Sequence, residues 1–179
     1  GLAETAAMLP ATPYTHKLDV ADRDAVHAFA DAVKRECGGA HVVINNAGVA
    51  LSQTIENMSY ADFEWLMNIN FWGVVHGCRT AVRNMRAAGG TIVNIGSMSA
   101  QIVNQPRWQP AYLTSKAAVH QLTKALAAEW APLLRAAGVP ATPVAPSLAD
   151  VAADPGTAGM LERIDDACWT PSAPWRLEE

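Results

Sequence analysis

Tyr112 and Lys116 stand four residues apart in the segment AYLTSKAAVH. On a helix, residues i and i+4 share a face, so the phenol and the ammonium can converge on one site. A phenol has an unperturbed pKa of about 10 and supplies little phenolate at neutral pH. An ammonium beside it favours the phenolate and makes the group usable as a general acid or base. By spacing alone the pair would equally suit a solvated helix face. Ser97 follows TIVNIG, where a hydroxyl could bond a substrate oxygen; Ser99 is just as visible, and either could be a plain loop serine. Asn70 sits in MNINFWG, inside a helical pattern. An amide there is usually only tolerated, because it competes with the backbone bonds. Asn45-Asn46-Ala47-Gly48 directly follows HVVIN. The small Ala-Gly pair would let a planar or sugar group approach the backbone, and the asparagines could pin neighbouring strands, although an ordinary turn uses the same residue types.

Alternating strands and helices would position these groups. Residues 12–20 read as a short strand. Residues 22–37 place Val26, Phe29, Ala30 and Val33 at helical spacing, and Gly38-Gly39 ends that run. HVVIN (41–45) is largely apolar, as in a strand buried on both faces of a parallel sheet. Ser59 is a candidate N-cap, with Asp62 and Glu64 in the first turns, for a long helix reaching about Ala88. TIVNIG (91–96) is the next buried strand. After Pro106 and Pro110, residues 111–137 form a strong amphipathic pattern with Gly138 as C-cap. Strands separated by helices imply βαβ units, a parallel sheet and an α/β fold. In such sheets ligands bind beyond the carboxyl ends of the strands, where Asn45–Gly48 and Ser97 fall. Residues 147–179 read as a loop region and irregular tail, with a short helix from Met160 to Cys168.

Composition narrows the function classes. The 179 residues suit one domain, and half are hydrophobic with 17% charged, as in a globular protein. The formal net charge of -4 argues against a nucleic-acid partner. No uncharged apolar run is long enough to span a membrane, and the N-terminus lacks the pattern of a secretory signal. Three cysteines without Cys-x-x-Cys spacing make a disulfide frame or zinc ribbon unexpected. The five histidines show no His-x-x-x-His spacing, so no metal site is expected. A cytoplasmic location is the expectation that follows.

Taken in order, the motifs resemble those of the short-chain dehydrogenase/reductase family. There Asn-Asn-Ala-Gly follows the fourth strand and an Asn lies in the next helix. A Ser ends the fifth strand, and Tyr-x-x-x-Lys opens the helix after it. The resemblance covers residues 1–147 and implies an incomplete Rossmann-like, doubly wound parallel sheet. It implies NAD or NADP as cofactor and a small alcohol or carbonyl as substrate. Tyr112 would be the acid/base, Ser97 would bond the same substrate oxygen, and Lys116 would assist Tyr112 and hold the nicotinamide ribose. Asn70 would organise a water chain behind Lys116. Asp19-Val20 matches the pair that contacts adenine; Asn45, Ala47 and Gly48 would line the adenosine side, and Pro146 the nicotinamide side. The resemblance favours Ser97 over Ser99. Asn104, Gln105, Trp108 and Gln109 look most like members acting on polyols or sugars. The long helices would form the interfaces of a homo-oligomer.

The chain also departs from the pattern. None of its 12 glycines forms the Gly-x-Gly of the family's phosphate-binding turn, so strands one and two are expected to be missing, along with the last strand. HVVIN would then be an exposed apolar edge. Pro140 and Pro143 argue against regular pairing of the sixth strand, and Ser147 stands where the family has Gly. The alternative to an active oxidoreductase is a truncated, non-catalytic remnant that only associates with a partner subunit.

Overall fold

The computed structural model describes residues 2–86, 89–102, 108–136, 161–163 and 169–171. Two compact units, Gly1–Thr123 and Lys124–Glu179, divide the chain, and the boundary falls within its longest helix.

In the first unit, helix α1 (Leu2–Ala7) precedes α2 (Arg23–Cys37). The Asp22 side chain accepts a hydrogen bond from the Ala25 amide and so caps α2; Gly38, at φ 79°, closes it in the left-handed conformation that glycine adopts without strain. Strand β1 (Val42–Asn45) is followed by α3 (Tyr60–Met67), a π-helical turn (Asn68–Trp72) and α4 (Gly73–Met85), which form one continuous helical run. Ser59 caps α3 by accepting from the Asp62 amide, as the sequence suggested. Strand β2 (Thr91–Asn94) returns parallel to β1, with Val42 opposite Thr91 and Asn45 opposite Asn94. The helical run is therefore the crossover that a parallel pair requires. Helix α5 (Pro110–Ala136) opens on a proline, which lacks only an N–H that the first turn would leave unbonded.

The core lies where α3 and α4 meet the sheet. Leu66, Val74, Cys78, Ala81 and Met85 are buried, with Val26 of α2. A cavity of about 230 Å³ remains between α2, α4 and β1, lined by Val20, Phe29, Val43, Ile44 and others. Among the described residues β1 pairs only with β2, leaving its other edge open, and Val42 and Ile44 are 57% and 60% exposed. This is the exposed apolar edge expected of an incomplete sheet.

Two expectations need correction. Residues 12–19 form no strand, because no described strand lies alongside to complete a ladder. Tyr14 and His16 instead stack on Phe29 of α2, at centroid distances of 6.3 and 5.4 Å. Of the helix expected from Met160 to Cys168, Leu161–Arg163 is instead a strand, and the other residues lie outside those described. In the second unit Leu161–Arg163 (β3) and Trp169–Pro171 (β4) pair antiparallel, so backbone groups are bonded across strands where a helix this short would leave most of its own unpaired. The sixth strand, Gly138, Pro140, Pro143, Pro146 and Ser147 lie outside the described residues.

Candidate active site

The first turns of α5 bring Tyr112, Ser115 and Lys116 to the carboxyl ends of β1 and β2. The Lys116 ammonium lies 6.0 Å from the centroid of the Tyr112 ring, so the four-residue spacing does place both groups on one face. Lys116 is only 5% exposed, and its Nζ donates to the Ile95 carbonyl at 2.7 Å. An ammonium has three donors, so this bond fixes it while two remain for other acceptors.

Behind it stands Asn70, fully buried in the π-helical turn. π-helical turns occur mostly as single turns inside α-helices, and frequently at functional sites. Asn70 Nδ2 donates to the Val49 carbonyl at 2.8 Å and to Ser115 Oγ at 3.1 Å, and its Oδ1 accepts from the Val49 amide at 2.8 Å. Ser115 Oγ in turn donates to the Tyr112 carbonyl at 2.8 Å. Asn70 thus ties the loop after β1 to the turn of α5 that carries Tyr112. Gly48 sits at this junction; a Cβ there would lie 3.4 Å from Asn70 Oδ1 and 3.7 Å from Lys116 Nζ. Glycine keeps that approach to the ammonium open.

Ser97 lies two residues beyond Ile95, and its Oγ accepts from the Ser99 amide at 3.1 Å, capping the short 3₁₀ turn Met98–Ala100. No hydrogen bond joins Ser97 to Tyr112. Asn45 is committed within the fold: its Nδ2 donates to Asn94 Oδ1 at 2.8 Å and approaches Cys78 Sγ at 3.6 Å. Asn94 continues the chain of bonds to Thr123 of α5 at 2.9 Å. Asn45 therefore pins the strands and helices to one another, the strand-pinning role considered from sequence. Burial pushes the Cys78 thiol pKa up, partly offset by its bond to Asn94.

Val20, Asn45 and Ala47 do come together, lining with Asn46, Gly73 and Val74 a crevice of about 80 Å³. Asp19 is exposed and accepts from the Ala21 amide at 2.9 Å, outside that lining. Pro146, Asn104 and Gln105 lie outside the described residues, while Gln109 donates to Ser52 Oγ at 3.2 Å.

Ser115, Val49, Ile95 and Asn94 were missed in the sequence. Ser115 precedes Lys116, but nothing in its type distinguishes it from Thr114. Ile95 acts through its carbonyl, which side-chain chemistry cannot signal. Asn94 could have been found: VVIN and TIVN both end on an asparagine, and adjacent parallel strands in register set those two side by side.

The residues present fit part of a dinucleotide. The glycine cradle at Gly48, the spare donors of Lys116 and the crevice at Val20 and Ala47 suit ribose and adenosine groups, whereas no Gly-x-Gly turn for a pyrophosphate occurs in the sequence.

Known proteins resemble this chain in sequence and fold. The family model for short chain dehydrogenase matches residues 2–154. SadH of Mycobacterium tuberculosis, which carries an oxidoreductase description, is 41% identical over 133 residues, covering 72% of this chain and 48% of its own. Galactitol 2-dehydrogenase of Rhizobium johnstonii is 43% identical over 135 residues, covering 72% of this chain and 52% of its own. The crystal structure of a short-chain type dehydrogenase/reductase from Mycobacterium marinum superposes with a TM-score of 0.69 at 35% identity, over 74% of this chain and 53% of that one. The chain thus spans about half the length of the curated relatives it matches. With the family model matching most of its length and the βαβ scaffold holding Asn70, Tyr112 and Lys116 together, the chain belongs to the short chain dehydrogenase family.

Proposed function

We propose that this chain is the catalytic part of an NAD(P)-dependent oxidoreductase that interconverts an alcohol and a carbonyl on a polyol or sugar. The observation that carries the reading is Lys116, buried, fixed by the Ile95 carbonyl and facing the Tyr112 ring. A lysine removed from water in this way serves no surface role, whereas a charge held beside a phenol serves acid/base chemistry.

The nicotinamide would take or supply the hydride. In the oxidation direction Tyr112 Oη receives the substrate hydroxyl proton as the carbonyl forms, and it returns that proton in reduction. Lys116 supports the phenolate electrostatically and offers its remaining donors to ribose hydroxyls. Asn70 holds the loop after β1 against α5, and Ser97 Oγ bonds the reacting oxygen. Val20, Asn45, Ala47, Gly48 and Asp19 belong to the adenosine side, and Pro146 to the nicotinamide side. Residues 147–179 supply the substrate loop.

The galactitol dehydrogenase relative supports a hydroxyl-rich substrate, as does Gln109, whose amide offers both donors and acceptors. The α3–α4 run and α5 are the surfaces for homo-oligomer formation, and the expected location is the cytoplasm. No described helix is long and apolar enough to cross a membrane. The test is turnover of galactitol and of aldohexoses with NAD and NADP, followed by the absorbance of the reduced nicotinamide. Turnover that disappears in Tyr112→Phe is expected; equal turnover in that variant overturns the assignment.

A further inference from the structure

Helices α2 and α4 pack against each other along a seam. At one level Arg83 of α4 pairs with Asp31 of α2. One helical turn earlier on each helix the residues are Arg79 and His27, so a base stands where the previous level has a carboxylate. Among the described residues Arg79 makes no ion pair, and the nearby Arg23 already shares its charge with Asp24 at 2.8 Å. These residues line an open groove of about 740 Å³ together with Trp72 and His76, whose rings stack at 6.2 Å.

Basic side chains outnumber carboxylates in the lining of this groove. Arg23, Arg79, His27 and His76 face one carboxylate, Asp24, with the capping Asp22 close to Arg23. The His76 pKa is lowered, first by burial and then by His27, Arg23 and Arg79, with Asp24 opposing. A second observation concerns placement. The π-helical turn lends Trp72 and Asn68 to this groove, while Asn70, two residues from each, faces the candidate catalytic cluster.

We propose that the groove between α2 and α4 binds a phosphate group, which stands in for the carboxylate missing opposite Arg79. Arg79 and Arg23 supply the donors, His27 and His76 the flanking imidazoles, and Trp72 a ring face for whatever the phosphate is attached to. The site lies on the helical layer and is separate from the crevice at Val20 and Ala47. It does not depend on the chain being an active oxidoreductase.

The test is titration of the 179-residue chain with inorganic phosphate, reading the His27 and His76 ring signals by NMR. Saturable shifts of both rings with a Kd of about 1 mM or tighter are expected. Arg79→Ala should weaken binding by about tenfold or more. His27→Asp, which supplies the carboxylate internally, should abolish binding while raising the melting temperature. Sulfate stays dianionic near neutrality, so its affinity should rise as pH falls below about 6.5 and His76 gains a proton. Absence of ring shifts, undiminished binding in either variant, or displacement of phosphate by NAD or NADP would each overturn the proposal.

Discussion

Asn70 clasps the peptide of Val49 from both sides, accepting from its amide and donating to its carbonyl, each at 2.8 Å. The side-chain amide copies the bonding of a neighbouring strand, so the loop after β1 is held without any strand beside it. This makes Asn70 a structural tie as well as a candidate member of the active site. Asn70→Ala leaves the Val49 amide and carbonyl without their partner, and should cost about 1–3 kcal/mol. Urea unfolding checks this; an unchanged midpoint would mean that water replaces the clasp.

Tyr112 contributes a hydroxyl that makes no hydrogen bond within the described residues, so its removal should leave the fold intact. Turnover in Tyr112→Phe should fall by about 10²–10⁴-fold, the usual contribution of a positioned acid/base. Circular dichroism and thermal unfolding should match the parent.

Gly77 faces Asn45 so closely that a Cβ would lie 2.0 Å from Asn45 Oδ1. The amide cannot simply swing aside, because it is held by Asn94 and by Cys78. Gly77→Ala should therefore destabilise by about 1–3 kcal/mol, as overpacking does. The combination with Asn45→Ala should be less damaging than the sum of the two single changes, which a double-mutant cycle measures.

His76 carries a pKa below its ordinary value because of burial and the surrounding positive charge. The unfolded chain then takes up a proton at higher pH than the folded one. Stability from this residue is present above the unfolded pKa of about 6.5 and is lost as pH falls toward the folded value. His76→Gln should flatten the stability profile on the acid side of neutrality, as read from melting temperatures across pH.

Cys37 is exposed and Cys78 is buried, with burial holding the Cys78 thiol in its protonated form. In a Cys168→Ser background, a thiol reagent should modify Cys37 rapidly and Cys78 only on unfolding. Equal rates would show that α4 opens readily from the sheet.

The helices and the strands Val42–Asn45 and Thr91–Asn94 were legible because their signals are local: caps at Asp22 and Ser59, glycine at Gly38 and apolar periodicity between them. The burial expected of both strands is not met, since Val42, Ile44 and Val93 are exposed. Residues 12–20 misled because strand propensity says nothing of whether a neighbour exists. In the site, the Tyr112–Lys116 spacing was readable since one helix fixes it. The Asn70–Val49 and Lys116–Ile95 bonds join distant segments through backbone groups, and no side-chain pattern encodes those.

The π-helical turn has a further consequence for how this sequence tolerates change. Buried residues at 66, 70, 74 and 78 recur at intervals of four, and in a regular α-helix each such step overshoots a full turn by about 40°. The wider turn at Asn68–Trp72 absorbs that excess, so α3 and α4 are two helices set out of phase by one residue. Deleting a single residue between 68 and 72 would restore a regular helix in which the residue now at 74 follows Leu66 by seven positions, about 700°, and so stays within about 20° of the same face. Cys78, Ala81 and Met85 would then keep their place in the core, whereas straightening the turn without a deletion would rotate them away from it together. Relatives that lack the wider turn should accordingly be one residue shorter here and keep the same buried face.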